Sequence, residues 1–324
     1  MKLGIVGTSA IAAKFADGAV RAGWEVTSVC SRKLATGVMF AEQNRIPKVY
    51  DNLSDMAYSS EVEVIYIASP NGVHFEQAEL CLKAGRHVIV EKPSFSTLKE
   101  ARHILELART RNLFVFEAMR TIHNPNFALL AQAIEQIGPV RFANLHLMGY
   151  SGKYDQFKKG NIASTFSPEL SGGATYDMGV YPIYTALALF GRPQRVELAA
   201  LKLHNGIDGL GVTQFFYEDK LLLLTGSKIC GNAAPSTIEG EHGSLLIRNL
   251  ADMDQIILRD KAGERILCDE QVPNDLAFEA AEFHRILTQR DAQAYAWCCE
   301  LLLLSAELLE IARKSAGIYF AADH

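Results

Sequence analysis

Apolar residues come in short blocks along the first third of this chain. Leu3-Gly4-Ile5-Val6 reads as a buried strand, and Gly7-Thr8-Ser9-Ala10-Ile11-Ala12 as a turn that opens a helix running to about Ala22. The alternation then repeats, with a strand over 26–31, a helix near 35–43, a short strand at 48–50 and a helix near 53–58. It continues with a strand over 62–68, a helix over 73–84, a strand over 87–90, a helix over 98–111 and a strand over 113–116. Short strands alternating with helices predict a parallel, doubly wound sheet. Residues 1–118 are therefore expected to form a Rossmann-type dinucleotide-binding domain.

Beyond Pro125 the rhythm changes. A helix around 126–136 gives way to an apolar strand over 140–148 and a stretch rich in Gly, Ser and Lys over 149–173, followed by a helix near 180–190. Segments resembling consecutive strands follow at 195–204, 210–217, 220–227, 236–239, 244–248 and 255–259. Turn residues such as Glu218-Asp219 and Lys261-Ala262-Gly263 separate several of them, which favours antiparallel hairpins. Two amphipathic helices, near 275–289 and 293–316, close the chain. The expectation for 119–324 is an α+β domain on one large, mostly antiparallel sheet, serving substrate binding and oligomerisation. No internal repeat interrupts it.

Composition narrows the partners. A chain of 324 residues exceeds the size at which one core usually stops growing, so two domains are expected. The hydrophobic fraction of 49% and charged fraction of 21% are those of a globular protein. A formal net charge of −5 favours neither nucleic acid nor an anionic membrane and leaves small molecules as the expected partners. No basic stretch or long hydrophobic segment precedes the first strand, and apolar runs such as Leu221-Leu222-Leu223-Leu224 fall far short of the roughly 20 residues of a membrane span, so a cytoplasmic protein is expected. Six cysteines, none in a C-x-x-C pair, read as reduced thiols with no metal site.

The candidate chemistry lies at strand ends. In the first turn Gly7, Ser9 and Ala12 occupy the three positions of G-x-G-x-x-G; Gly7 permits the tight turn, Ser9 is small enough for close approach of a pyrophosphate, and Ala12 allows helix–strand packing. With Thr8, Ala10 and Ile11 they form the expected diphosphate cradle. The second strand ends Ser31-Arg32-Lys33, without the acid that holds a ribose 2′-hydroxyl in NAD sites; Arg32 and Ser31 suit a 2′-phosphate instead, so NADP is expected ahead of NAD. Ser69, Pro70 and Asn71 follow another strand and should border the cofactor ribose, while His74 reads either as a packing or capping histidine or as a cofactor contact. Glu91, Lys92 and Arg120 complete the set assigned to the cofactor. Lys92 ends the apolar run 87–90, where open α/β sheets bind their ligands. Its expected partners are Asp177 and Tyr181, four residues apart and on one face if the segment is helical.

Together these residues resemble the glucose–fructose oxidoreductase and inositol dehydrogenase (Gfo/Idh/MocA) family. The resemblance rests on the Gly7 turn, Ser69-Pro70-Asn71 with His74, Ala84-Gly85-Arg86-His87-Val88 leading to Glu91-Lys92-Pro93, Glu117-Ala118, and Gly172-Gly173 with Asp177, Gly179 and Tyr181. Asp177-x-Gly179-x-Tyr181 is most similar to the dimeric dihydrodiol dehydrogenase and xylose dehydrogenase branches, since inositol dehydrogenases carry His where this chain has Tyr181. One departure follows Glu117-Ala118: those branches have Arg five residues past the Glu, whereas here position 122 is Ile and the arginine is Arg120, so the substrate pocket is expected to differ.

The resemblance implies hydride transfer between nicotinamide and a sugar, polyol, diol or related carbonyl compound, in a homodimer or homotetramer. A free tyrosine titrates near 10, so a tyrosine acting as base near neutrality needs a cation, and Lys92 is expected to supply it. Asp177 would orient that lysine or a substrate hydroxyl. Two alternatives stay open: a cofactor-bound regulatory protein without turnover, and a glycosidase that uses NAD transiently.

Overall fold

A computed structural model describes residues Met1 through His324. The chain divides into two compact units, one of residues 1–118 with 274–303, the other of 119–273 with 304–324.

The first unit holds six parallel strands in the order β3-β2-β1-β4-β5-β6: β1 (Lys2–Val6), β2 (Glu25–Cys30), β3 (Lys48–Tyr50), β4 (Val64–Ile67), β5 (His87–Glu91) and β6 (Val115–Ala118). Helices α1 (Ala10–Arg21), α2 (Leu34–Asn44), α3 (Leu53–Ala57), α4 (His74–Lys83) and α5 (Leu98–Thr110) connect them. All residues of β4 and β6 are buried, as expected where helices cover both faces of a parallel sheet. The reversal of strand order between β1 and β4 gathers the carboxyl ends of β1, β2, β4 and β5 along one edge, where such sheets place ligands.

Residues 274–303 return to this unit, a feature the division at 118/119 does not contain. The reason is the apolar stripe of α10 (Leu276–Gln289): Leu276, Ala280, Phe283, Ile286 and Leu287 are buried in one core with Phe15, Ala19, Trp24 and Phe116. Phe283 stacks on Phe116 with centroids 4.7 Å apart, and the Trp24 indole donates to the Ala280 carbonyl at 2.9 Å. Gly18 lets α1 and α10 touch, since a Cβ there would lie 2.9 Å from the Ala277 nitrogen.

The second unit is built on eight strands in the order β14-β13-β12-β11-β7-β10-β9-β8. They are β7 (Val140–Met148), β8 (Arg195–Lys202), β9 (Asp208–Phe216), β10 (Leu221–Ser227), β11 (Ser236–Gly240), β12 (Gly243–Ile247), β13 (Gln255–Asp260) and β14 (Gly263–Asp269). Every neighbouring pair is antiparallel except the central β7 and β10. Short helices α6 (Arg120–His123), α7 (Pro125–Ile134) and α8 (Gly152–Lys158) accompany the sheet, and α9 (Val180–Phe190) is buried continuously from Val180 to Leu187. Helix α8 lies within the stretch rich in Gly, Ser and Lys: Ser151 caps it by accepting from the Lys153 N–H at 3.3 Å, and Phe157 anchors it in a small core with Phe166 and Ile207. The last helix, α11 (Ala292–Ser315), spans the division at 303/304.

Candidate active site

In the first unit, Gly7 adopts φ 104°, and a Cβ there would come within 2.7 Å of the Ala68 carbonyl oxygen. Only glycine therefore lets β1 turn so tightly against the end of β4. Ser9 caps α1 through its side chain, which accepts from the Ala12 N–H at 3.3 Å. The N–H groups of Ala10 and Ile11 have no intrahelical acceptor and carry the positive end of a twelve-residue helix. This cradle fits the diphosphate of a dinucleotide.

At the end of β2, the Ser31 N–H is anchored to the Tyr50 carbonyl at 2.9 Å and its hydroxyl donates to the Lys33 carbonyl at 3.1 Å. Arg32 and Lys33 are exposed and make neither a hydrogen bond nor an ion pair through their side chains. After β4, the Ser69 hydroxyl donates to Gln77 at 2.6 Å, and Asn71 begins a short 3₁₀ turn that follows Pro70.

His74 does not face outward from this edge. Its ring is fully buried, with Nε2 2.8 Å from the Ser69 carbonyl and Nδ1 3.3 and 3.2 Å from those of Pro93 and Ser94. Burial lowers its pKa, the three carbonyls oppose that, and the nearby Lys92 adds to the lowering. The cofactor contact considered for His74 is therefore replaced by a brace: it ties the loop after β4 to the loop carrying Lys92.

Two carboxylates complete that brace. Glu91 accepts from the hydroxyl of Tyr66, itself fully buried and stacked on Phe15 at 3.7 Å. Glu117, at the end of β6, accepts from the Ser94 N–H at 2.8 Å. Lys92 is thus presented from a segment gripped at positions 91, 93 and 94.

In the second unit, Asp177 lies within a π-helical turn, Thr175–Gly179, that runs into α9 and Tyr181. A π turn closes i to i+5, so the backbone at Asp177 is wider than in an α-helix. The surroundings account for the wide turn. Gly173 has φ 126°, and a Cβ there would strike the Asp208 carboxylate; at Gly226 of β10 a Cβ would strike the Gly179 nitrogen. Asp208, 2% exposed, accepts from the Thr175 N–H at 2.7 Å and its hydroxyl at 2.6 Å, and burial raises its pKa against those bonds.

Asp177 pairs with the ammonium of Lys228, the residue that follows β10. Sequence reading missed Lys228, although the signal that singled out Lys92, a lysine at the carboxyl end of an apolar strand, applies to it equally. Tyr181 is buried, and the Arg120 guanidinium stands 5.8 Å from its ring centroid while pairing with Asp252. Within its own unit Arg120 is thus a neighbour of the candidate phenol. Tyr176, in the same turn, is 1% exposed, burial pushes its pKa up, and its oxygen accepts from Arg313 Nε at 3.2 Å.

Residues 1–119 match the GFO/IDH/MocA oxidoreductase family with its NAD-binding Rossmann fold, and residues 127–246 match the GFO/IDH/MocA C-terminal domain. The chain belongs to this family. It is 34% identical over its full length to the scyllo-inositol 2-dehydrogenase (NADP(+)) IolU of Bacillus subtilis, covering 99% of that protein. Human trans-1,2-dihydrobenzene-1,2-diol dehydrogenase is 25% identical over 94% of this chain and 92% of its own length. Among solved structures, the 3-ketoreductase KijD10 of Actinomadura kijaniata, crystallised with NADP and TDP-benzene, superposes with a TM-score of 0.82 at 21% identity over 97% of both chains, which supports the fold. This family member is an NAD(P)-dependent oxidoreductase. No helix is long and apolar enough to cross a membrane.

Proposed function

We propose that this protein transfers a hydride between NADP and a carbinol carbon of a sugar, polyol or diol, with Lys92 and Tyr181 as the proton-transfer pair and Asp177 orienting the substrate. The observation that carries this reading is the grip on the Lys92 segment, where His74, Glu91 and Glu117 hold the residues on either side of the lysine. A protein that only sensed the nucleotide would need the Gly7 cradle but not a braced lysine.

Bound NADP would supply the hydride acceptor for alcohol oxidation. The diphosphate would lie on the amides of the α1 N-terminus, with the exposed Arg32 toward a 2′-phosphate. The NADP in the names of IolU and of the KijD10 complex agrees with that choice over NAD. In this scheme the Tyr181 oxygen takes the carbinol proton, the Lys92 ammonium polarises the same oxygen, and the Asp177 carboxylate accepts from a neighbouring hydroxyl. IolU and the dihydrodiol dehydrogenases act, by name, on a cyclic polyol and a cyclic diol, which sets the first substrates to try.

The test is a cofactor-coupled assay on scyllo-inositol, D-xylose and trans-cyclohexane-1,2-diol. Lys92→Met should abolish turnover with NADP binding and melting temperature little changed; a variant keeping a tenth of wild-type kcat makes the lysine structural. Tyr181→Phe should fold and lose ~10²–10⁴ in rate, the worth of a general acid or base, together with the rise of kcat/KM with pH in the oxidative direction. An unchanged pH limb at comparable activity would assign the proton to another group, such as His123. Release of reduced cofactor with a simple alcohol separates this reading from both the regulator and the glycosidase.

Homodimerisation through the sheet of the second unit is proposed with it. Phe142, Leu221 and Phe216 stand side by side across β7, β10 and β9 and remain only half-buried. Leu221→Asp should shift the light-scattering mass toward the monomer; an unchanged mass refutes this surface.

A further inference from the structure

The open end of the β9–β10 hairpin holds the π turn at three points. Asp208, at the start of β9, bonds to Thr175 where the turn begins. Gly226, near the end of β10, lies against the backbone of Gly179 where the turn finishes. Lys228 reaches the middle. Its N–H is bonded to the Gly209 carbonyl at 2.9 Å, its side chain is 6% exposed, and its ammonium meets the Asp177 carboxylate while standing 5.3 Å over the buried Phe166 ring. Asp177 keeps about a quarter of its side chain open. The carboxylate is therefore held by a buried cation while part of the Asp177 side chain stays accessible.

We propose that Lys228 is a positioning residue that sets substrate specificity: it holds Asp177 as an oriented carboxylate acceptor, so that the site selects substrates with a neutral hydroxyl beside the reacting carbinol. The inference rests on the reading of Asp177 as a substrate-facing group. Its chemistry follows from exposure. A substrate hydroxyl can donate to the accessible Asp177 carboxylate, a charge-assisted bond that an analogue without that hydroxyl cannot make. A substrate carboxylate or phosphate at the same point would meet a like charge, with the Lys228 ammonium too buried to receive it. Vicinal polyols and diols thus fit, and 2-hydroxy acids do not.

The experiment uses the whole chain with NADP and two probe pairs: trans-cyclopentane-1,2-diol with cyclopentanol, and trans-cyclohexane-1,2-diol with cyclohexanol. Wild type should prefer the first member of each pair. Lys228→Met should lower kcat/KM for that member on the order of 10²-fold, the penalty of misplacing a group near the reacting atoms, mainly through KM, and the preference should collapse. Lys228→Arg should restore part of the preference, and Lys228→Met combined with Asp177→Asn should be little worse than either alone. Equal losses on both members of a pair, or additive losses in the double variant, would overturn the proposal and leave Lys228 a structural residue. If Lys228→Met does not fold, the preference ratio of Lys228→Arg against that of Asp177→Asn decides the same question. Full activity in Asp177→Asn, or no wild-type turnover of either pair, would instead sink the reading of the site on which the proposal rests.

Discussion

The two units hold their candidate groups by different chemistry. Around Lys92 the first unit grips peptide groups: His74 bonds to backbone carbonyls and Glu117 to the Ser94 N–H. Around Asp177 and Tyr181 the second unit uses ion pairs, Lys228 with Asp177, Arg120 with Asp252, and Arg313 with Asp323, the last also reaching the Tyr176 hydroxyl. A bond to a peptide group fixes a loop and costs about 1–3 kcal/mol when one partner is lost. A buried ion pair costs about 3–5 kcal/mol to break from one side, because the remaining charge is stranded. The second unit should therefore be the more fragile toward single substitutions in its bracing.

Arg313 gives the largest expected effect on stability. Its guanidinium, 1% exposed, binds Asp323 through two bonds of 2.5 and 2.7 Å, lies 4.4 Å from the centroid of Phe320, and ties the last residues of the chain to Tyr176, next to Asp177. Arg313→Met should cost about 3–5 kcal/mol. Adding Asp323→Ala should recover part of that by removing the stranded carboxylate. Chemical denaturation of both variants checks this, and a loss below 1 kcal/mol would erase the contrast between the units.

The first unit carries its unpaired charge toward a ligand instead. Arg32→Ala should leave the melting temperature nearly unchanged while weakening NADP by about 1.5–3 kcal/mol, the worth of a hydrogen bond to a charged group, with little effect on NAD. Because Arg32 is exposed, the NADP preference should shrink as salt is raised, whereas the buried Arg313 pair should respond little. Titration calorimetry at two ionic strengths measures both effects. Equal or tighter binding of NAD by wild type would remove the 2′-phosphate assignment.

What the sequence revealed divides along the same line. The alternating blocks of 1–118 gave the parallel sheet because each strand and helix there is a local periodic signal, and Gly7 and Lys92 stand at positions the topology makes predictable. The π turn and its supports were hidden because they depend on contacts distant in sequence: Thr175 with Asp208, Gly179 with Gly226, Tyr176 with Arg313. His74 was visible as a residue but not as a brace, since only the fold brings the carbonyls of Ser69, Pro93 and Ser94 to one ring. The amphipathic stripe of α10 was legible too, but a stripe does not say which core receives it.

The smallest expected effect separates the units by pH. In the first unit, burial and then the charge of Arg290 push the pKa of His87 down to about 4, and its Nδ1 accepts from the Phe114 N–H at 3.0 Å, a bond that protonation there would break. The unfolded chain binds that proton near the ordinary histidine value of 6.5, so the stability His87 contributes is complete above pH 6.5 and is lost as pH falls toward 4. The full shift would be worth about 3 kcal/mol, and partial solvent access reduces it to about 2 kcal/mol. In the second unit, burial would raise the Asp323 carboxyl, but the Arg313 guanidinium and the Phe320 N–H outweigh it and hold the pKa at about 2. Its contribution is therefore intact down to the ordinary aspartate value of 3.8 and is lost only between there and about 2. Amide hydrogen exchange followed from pH 7 to pH 4.5, corrected for intrinsic rates, should show protection falling first in β5 and β6 while Tyr176, α9 and the C-terminal residues stay protected. His87→Gln should flatten the early loss, and simultaneous loss in both units, or loss beginning at the C-terminal residues, would show that the ion pairs and not the buried histidine set the acid limit.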